Sequence, residues 1–176
     1  MGVEVAAAVG AELAELADVA ARTFPLACPP SVTPDNVAAF IAENLSESRF
    51  REYLADPDRQ VFVARDGDRV IGYAMLIRGQ PDDDEVQRAV SPRPAVEVSK
   101  IYVLPDRHGA GASAELMTAA VRWAEQAGAH SVWLGVNQQN HRAQRFYAKQ
   151  GFTVTGTRTF RLGAGTENDY VMVRPL

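Results

Sequence analysis

An α/β domain built on a mixed, mostly antiparallel sheet is predicted by three features of the sequence. The first is a hairpin signal, two apolar β-rich runs on either side of Asp66-Gly67-Asp68. The second is an apolar run ending at Leu104, then a glycine-containing loop, a helical pattern and another apolar run at 131–136, the order of a β–loop–α–β crossover between parallel strands. The third is the overall order of helices, hairpin, strand, helix, strand, helix and strand pair. That order confines parallel pairing to the central crossover and leaves the rest of the sheet antiparallel. With 176 residues, 47% apolar and 23% charged, the chain suits one core and one domain over 1–176.

The elements follow in turn. Leu13, Leu16, Ala17, Ala20 and Ala21 recur at helical spacing, with Glu12 and Glu15 near the start, so 11–24 reads as an amphipathic helix broken at Pro25, Pro29 and Pro30. Thr33-Pro34-Asp35 supplies an N-cap and a first-turn proline for a second helix over 37–45. Ser46 caps a third over 47–54, which Asp56-Pro57 ends. Strands at 61–65 and 70–77 flank the Asp-Gly turn, and an acidic loop over 81–85 follows. Residues 96–104 form a β-branched strand and 114–126 a helix stopped at Gly128. After the strand at 131–136, a short helix over 142–150 closes at Gly151. Strands at 153–161 and 170–173 finish the chain around Gly163-Ala164-Gly165.

Bulk properties exclude several function classes. A net charge of -4 carries no electrostatic footprint for nucleic acid. The single cysteine, Cys28, cannot form an internal disulfide, and no C-x-x-C or H-E-x-x-H spacing suggests a metal. With no histidine near it in sequence, Cys28 reads as a buried or idle thiol, against the alternative of a catalytic one. The first residues lack a basic n-region, and no apolar run reaches the ~18 residues of a membrane span, so a cytoplasmic protein without a membrane partner is expected.

Within the crossover, His108-Gly109-Ala110-Gly111-Ala112-Ser113 leads from strand to helix. A helix start offers unpaired N–H groups and the positive end of the helix dipole, and small residues let a phosphate approach them. Gly109 to Ala114 also fits G-x-G-x-x-G/A. A dinucleotide fold, however, places that loop after its first strand and an acid at the end of the next; here a hairpin precedes the loop and Asn137 occupies the strand end. The Gly-Lys-Ser/Thr of a nucleotide triphosphatase is absent. A plain glycine-rich turn is the remaining alternative.

Further along lies Asn137-Gln-Gln-Asn140-His-Arg-Ala143-Gln-Arg-Phe146-Tyr147, ending at Gly151-Phe152. Together the two segments resemble the Gcn5-related N-acetyltransferases, over most of the chain. The family's Q/R-x-x-G-x-G/A signature falls on His108 to Ser113, with His108 in place of Gln or Arg and Ser113 in place of the final Gly or Ala. The resemblance implies acetyl-CoA as cofactor, with its pyrophosphate on the N–H groups of Gly109, Ala110, Gly111, Ala112 and Ser113. It also implies a parallel strand pair splayed to admit the thioester, and a pantetheine arm paired in β fashion with the strand carrying Ile101, Tyr102 and Val103. Asn140, Ala143 and Phe146 would line the same wall. His108 stands either as a phosphate contact or as an exposed loop histidine.

Acetyl transfer to an amine needs a neutral nucleophile, a polarised carbonyl and a protonated leaving thiol. Tyr147 matches the family's tyrosine that protonates the thiolate, the alternative being an aromatic packed beside Phe146. A backbone N–H near Val103 would hold the carbonyl oxygen. A primary ammonium must lose a proton, and Glu97 is the candidate base; strict alternation would put it on one face with Ser99 and Ile101. A solvated strand-edge carboxylate is the other reading of Glu97.

Arg22-Thr23-Phe24, the helix start at Thr33 with Phe40, and the tail from Gly151 to Phe160 with Asp169-Tyr170-Val171-Met172 look like bacterial spermidine/spermine N-acetyltransferases. The likeness implies a small-molecule amine, and the acids over 82–85 would suit a polycation. A peptide N-terminus, as on a ribosomal protein, and a non-catalytic acyl-CoA sensor are the alternatives. The family also implies a homodimer through the C-terminal strands.

Overall fold

The computed structural model describes residues 2–108 and 111–176. Seven strands form one sheet in the order β1-β2-β3-β4-β5-β7-β6. These are β1 (Glu4–Ala7), β2 (Arg59–Asp66), β3 (Arg69–Arg78), β4 (Ala95–Val103), β5 (Ser131–Asn137), β6 (Thr153–Leu162) and β7 (Gly165–Pro175). Only β4 and β5 run parallel; every other neighbouring pair is antiparallel, as the element order required.

Helices cover both faces. α5 (Ala112–Gln126) buries Leu116, Met117, Ala120 and Val121 against Ile71, Ala74, Val96, Val98, Ile101 and Leu134. The opposite face is covered by α1 (Leu13–Ala27), α2 (Pro34–Asn44) and α3 (Glu47–Ala55), whose Leu16, Phe24, Phe40 and Phe50 pack on Val61, Val63, Tyr73 and Met75. Thr33 and Ser46 cap α2 and α3 as expected, their hydroxyls accepting from the N–H groups of Asn36 and Arg49 at 3.2 Å each.

Three expectations are corrected. α1 does not break at Pro25 but continues to Ala27: the proline gives up the single bond to the Ala21 carbonyl, and the helix runs only two residues further, with the N–H of Cys28 donating to the Pro25 carbonyl at 3.3 Å. The acidic loop over 81–85 is partly helical. Asp83 caps α4 (Asp84–Ala89) by accepting from the N–H groups of Glu85 and Val86, so local acids that read as a loop serve as a helix start. β1 was unpredicted, because a four-residue edge strand carries too short an alternation to read. α6 (His141–Lys149) completes the fold beside the outer half of β5.

Candidate active site

β4 and β5 pair only through Ala95–Ser131, Val96–Val132 and Glu97–Trp133. Beyond those positions the strands part, although β4 runs on to Val103 and β5 to Asn137. Each strand keeps its outer partner, β3 for β4 and β7 for β5, so both walls of the opening are held while the facing backbone edges are left for a ligand. A cleft of about 540 Å³ fills the gap. It extends from Arg107, His108 and Gly111 to Ala114 at one end to Phe24, Cys28, Arg158, Phe160 and Asp169 at the other.

The first end suits an anion. Gly111 caps α5 with φ +83°, a left-handed conformation that glycine adopts without strain, and Ala112 is buried at 1% exposure where a larger residue would not fit. The N–H groups of Ala112, Ser113 and Ala114 open the helix without intrahelical partners. Gly109 and Ala110, expected in the same cradle, lie outside the described residues. His108 is an exposed loop residue, one of its two expected readings, but its ring is engaged: one nitrogen, Nε2, lies 3.0 Å from the Val103 carbonyl and the other, Nδ1, 2.7 Å from Nη2 of Arg142. A carbonyl only accepts and a guanidinium only donates, so Nε2 donates to Val103 and Nδ1 accepts from Arg142. His108 thus ties the end of β4 to Arg142 on α6, and Arg142, which the sequence reading passed over, lines the cleft.

α6 forms one wall of the gap. Asn140 caps it, its Oδ1 accepting from the N–H of Ala143 at 3.2 Å, so the amide nitrogen is the part left for a ligand. Ala143, Phe146 and Tyr147 line the cleft. The Tyr147 ring packs edge-on against Phe146 and Phe152, with centroids 5.6 and 6.1 Å away. Its hydroxyl makes no hydrogen bond among the described residues, and burial pushes its pKa upward, which keeps the phenol protonated. Packing and chemistry are therefore both available to Tyr147.

The second end departs most from expectation. Met75 faces Lys100 while Leu76 faces Val98, so Ser99 is an extra residue in β4, a bulge. The bulge shifts the alternation by one: Val96, Val98, Ile101 and Val103 all bury on the α5 side, and Lys100 and Tyr102 turn to the other. Glu97 therefore does not share a face with Ile101. It sits where β4 and β5 are still paired and does not line the cleft; its Oε2 lies 4.0 Å from Nη1 of Arg158, and burial raises its pKa against the pull of Arg158.

Arg158 organises this end. Its Nε and Nη2 both lie 3.2 Å from Oδ2 of Asp169, and its guanidinium rests over Trp133 and Phe160, 5.5 and 5.4 Å from the ring centroids. Gly135 makes room for it: a Cβ there would stand 2.3 Å from Nη2. Lys100 lies between Phe40 and Phe160, its Nζ donating to the Ser99 carbonyl at 3.1 Å, and burial lowers its pKa to about 8. The Cys28 thiol is pushed up to about 11 by burial and then by Glu167, which makes a thiolate nucleophile scarce at neutral pH. Of the acids expected to attract a polycation, Asp83 is a helix cap and Glu85 binds Thr159 of β6; neither reaches the cleft.

Comparison with known proteins adds the following. A model of the acetyltransferase (GNAT) family matches residues 15–152. Uncharacterized N-acetyltransferases of Mycobacterium bovis and Mycobacterium tuberculosis are each 59% identical over 162 residues, 92% of this chain and 96% of theirs. A crystal structure of a PaiA N-acetyltransferase from Thermoplasma acidophilum, in complex with coenzyme A, superposes with a TM-score of 0.79 at 18% identity over the whole of both chains, a likeness of fold.

Proposed function

The chain belongs to the acetyltransferase (GNAT) family and is an acetyl-CoA-dependent N-acetyltransferase, and from that premise we propose that it acetylates a cationic primary amine of the polyamine kind by direct attack within the cleft. The parting of β4 from β5 carries this reading. It supplies a slot with an anion-binding helix start at one end and buried charged groups at the other, as a long phosphorylated thioester meeting an amine requires.

Acetyl-CoA supplies the activated acyl group. Gly111, Ala112 and Ser113 hold its pyrophosphate through backbone N–H groups, with Arg142 adding charge. The free edge of β4 at Ile101, Tyr102 and Val103 takes the extended arm, and Asn140, Ala143 and Phe146 close over it. An N–H of that strand end polarises the carbonyl. The Tyr147 hydroxyl donates to the sulfur as the C–S bond breaks. Glu97 acts at one remove: with Asp169 it balances Arg158, so a cationic acceptor does not face an unmatched guanidinium. In the polyamine reading, Asp169 and Glu167, neighbours on one face of β7, attract the ammonium groups.

Thiol release from acetyl-CoA, followed with spermidine, spermine, amino acids and N-terminal peptides as acceptors beside calorimetric titration of acetyl-CoA alone, tests the proposal. Turnover with the polyamines is expected. Turnover confined to peptide N-termini would replace the acceptor assignment, and tight binding without turnover on any acceptor would make the protein a sensor.

A further inference from the structure

Asp169 is the carboxylate that sequence reading did not single out. It is 5% exposed, lines the cleft, and faces Asn137 across the β5–β7 ladder at the point where β5 has left β4. Both contacts from Arg158 fall on one oxygen, Oδ2; among the described residues Oδ1 accepts no hydrogen bond. With Oδ2 held by Arg158, Oδ1 is the oxygen of this largely buried carboxylate that keeps access to the cleft, so a donor entering there can reach it. An N–H of an amine in the cleft is such a donor.

We propose that Asp169 Oδ1 receives the acceptor ammonium and takes its first proton, making Asp169 the catalytic base of the transfer. The proposal rests on the amine-acetyltransferase reading above. The amine loses one proton to Oδ1 and its freed lone pair attacks the thioester carbon. The tetrahedral adduct expels sulfur, which gains a proton from the Tyr147 phenol, and loses a second proton from nitrogen, which restores that phenol; Asp169 then passes its proton to solvent. One N–C bond forms, one C–S bond breaks, and the net release is a single proton for each ammonium acetylated.

Groups facing Asp169 suit the role. Arg158 from β6 clamps the other oxygen, Lys100 and Tyr102 from β4 and Glu167 from β7 are near enough to act on it electrostatically, and Cys28 at the end of α1 lines the same cleft. Burial raises the Asp169 pKa, and Arg158 opposes that rise. A more basic carboxylate accepts a proton more readily. Glu97 lacks this position, since the bulge at Ser99 and the pairing with Trp133 keep it behind Arg158.

The test is Asp169→Asn and Asp169→Glu, each assayed with a strongly basic primary amine found to be a substrate and with a weakly basic amine that is neutral at the assay pH, alongside calorimetric acetyl-CoA binding. With the basic amine, Asp169→Asn is expected to lower kcat/KM on the order of 10²-fold. With the neutral amine, which has no proton to surrender before attack, the loss should shrink below about tenfold, and Asp169→Glu should recover part of the activity. Equal losses on both amines would make Asp169 a packing residue and overturn the proposal, as would loss of acetyl-CoA binding in both variants. Absence of wild-type turnover on any amine would instead refute the acceptor reading on which it rests.

Discussion

Lys100 offers a stability measurement whose size and sign both follow from its surroundings. Its ammonium sits between two aromatic rings with one carbonyl as partner, and burial lowers its pKa from 10.5 to about 8. The unfolded chain holds the proton more tightly than the native protein, so the native state carries a penalty. That penalty is complete below pH 8 and disappears as pH rises through 10.5. A difference of about 2.5 pKa units corresponds to about 3 kcal/mol at pH 7, falling to about 1 kcal/mol at pH 10. Lys100→Met keeps the length of the side chain and removes the charge. Urea unfolding of both proteins at pH 7 and pH 10 should show the variant more stable by these amounts, with unchanged m-values. Equal stability at pH 7, or an advantage independent of pH, would refute the claim that Lys100 is desolvated rather than satisfied by Glu97 and Asp169.

Tyr147→Phe should lower kcat on the order of 10²-fold with acetyl-CoA affinity little changed, since the ring packing against Phe146 and Phe152 is retained; stopped-time assays with calorimetry check it, and parallel loss of binding would assign the residue to packing alone. Gly135→Ala would drive a Cβ into the Arg158 guanidinium, 2.3 Å from Nη2, and separate it from Asp169. Because the displaced atoms are the flexible end of Arg158 and both charges remain, the loss should stay below the roughly 3 kcal/mol that removing one partner of a buried pair costs. Chemical denaturation should register that loss in the otherwise native chain but little of it when Arg158→Ala is already present.

The strand, loop and helix start at one end of the cleft were legible in the sequence because they are local. A strand, a loop of small residues and a helix start are contiguous, and the constraints on Gly111 and Ala112 act within a few residues. The helix caps at Thr33 and Ser46 were readable for the same reason. The acceptor end was not, because its geometry depends on register. One extra residue at Ser99 reverses which side chains of β4 face α1 and α2, separating Glu97 from Ile101 and bringing Lys100 and Tyr102 to the acceptor side. The contact of Arg158 with Asp169 joins opposed residues of two adjacent strands, and its passage over Gly135 joins a third; no spacing within the chain encodes either. His108 was recognised as unusual, but its two partners, Val103 and Arg142, come from separate elements.

The three residue pairs that join β4 to β5 divide the sheet into two blades, β1 to β4 and β5 to β7, each tightly laced within itself and coupled to the other along a short seam. An extended molecule lying in the gap becomes, in effect, a missing strand, and its binding energy is added to the cohesion of the whole domain. By mass action, saturating acetyl-CoA at a hundred times its dissociation constant would raise the unfolding free energy by about 2.7 kcal/mol. A cofactor bound there as proposed is a structural member as well as a reactant, and each release of product would return the seam to its weaker state.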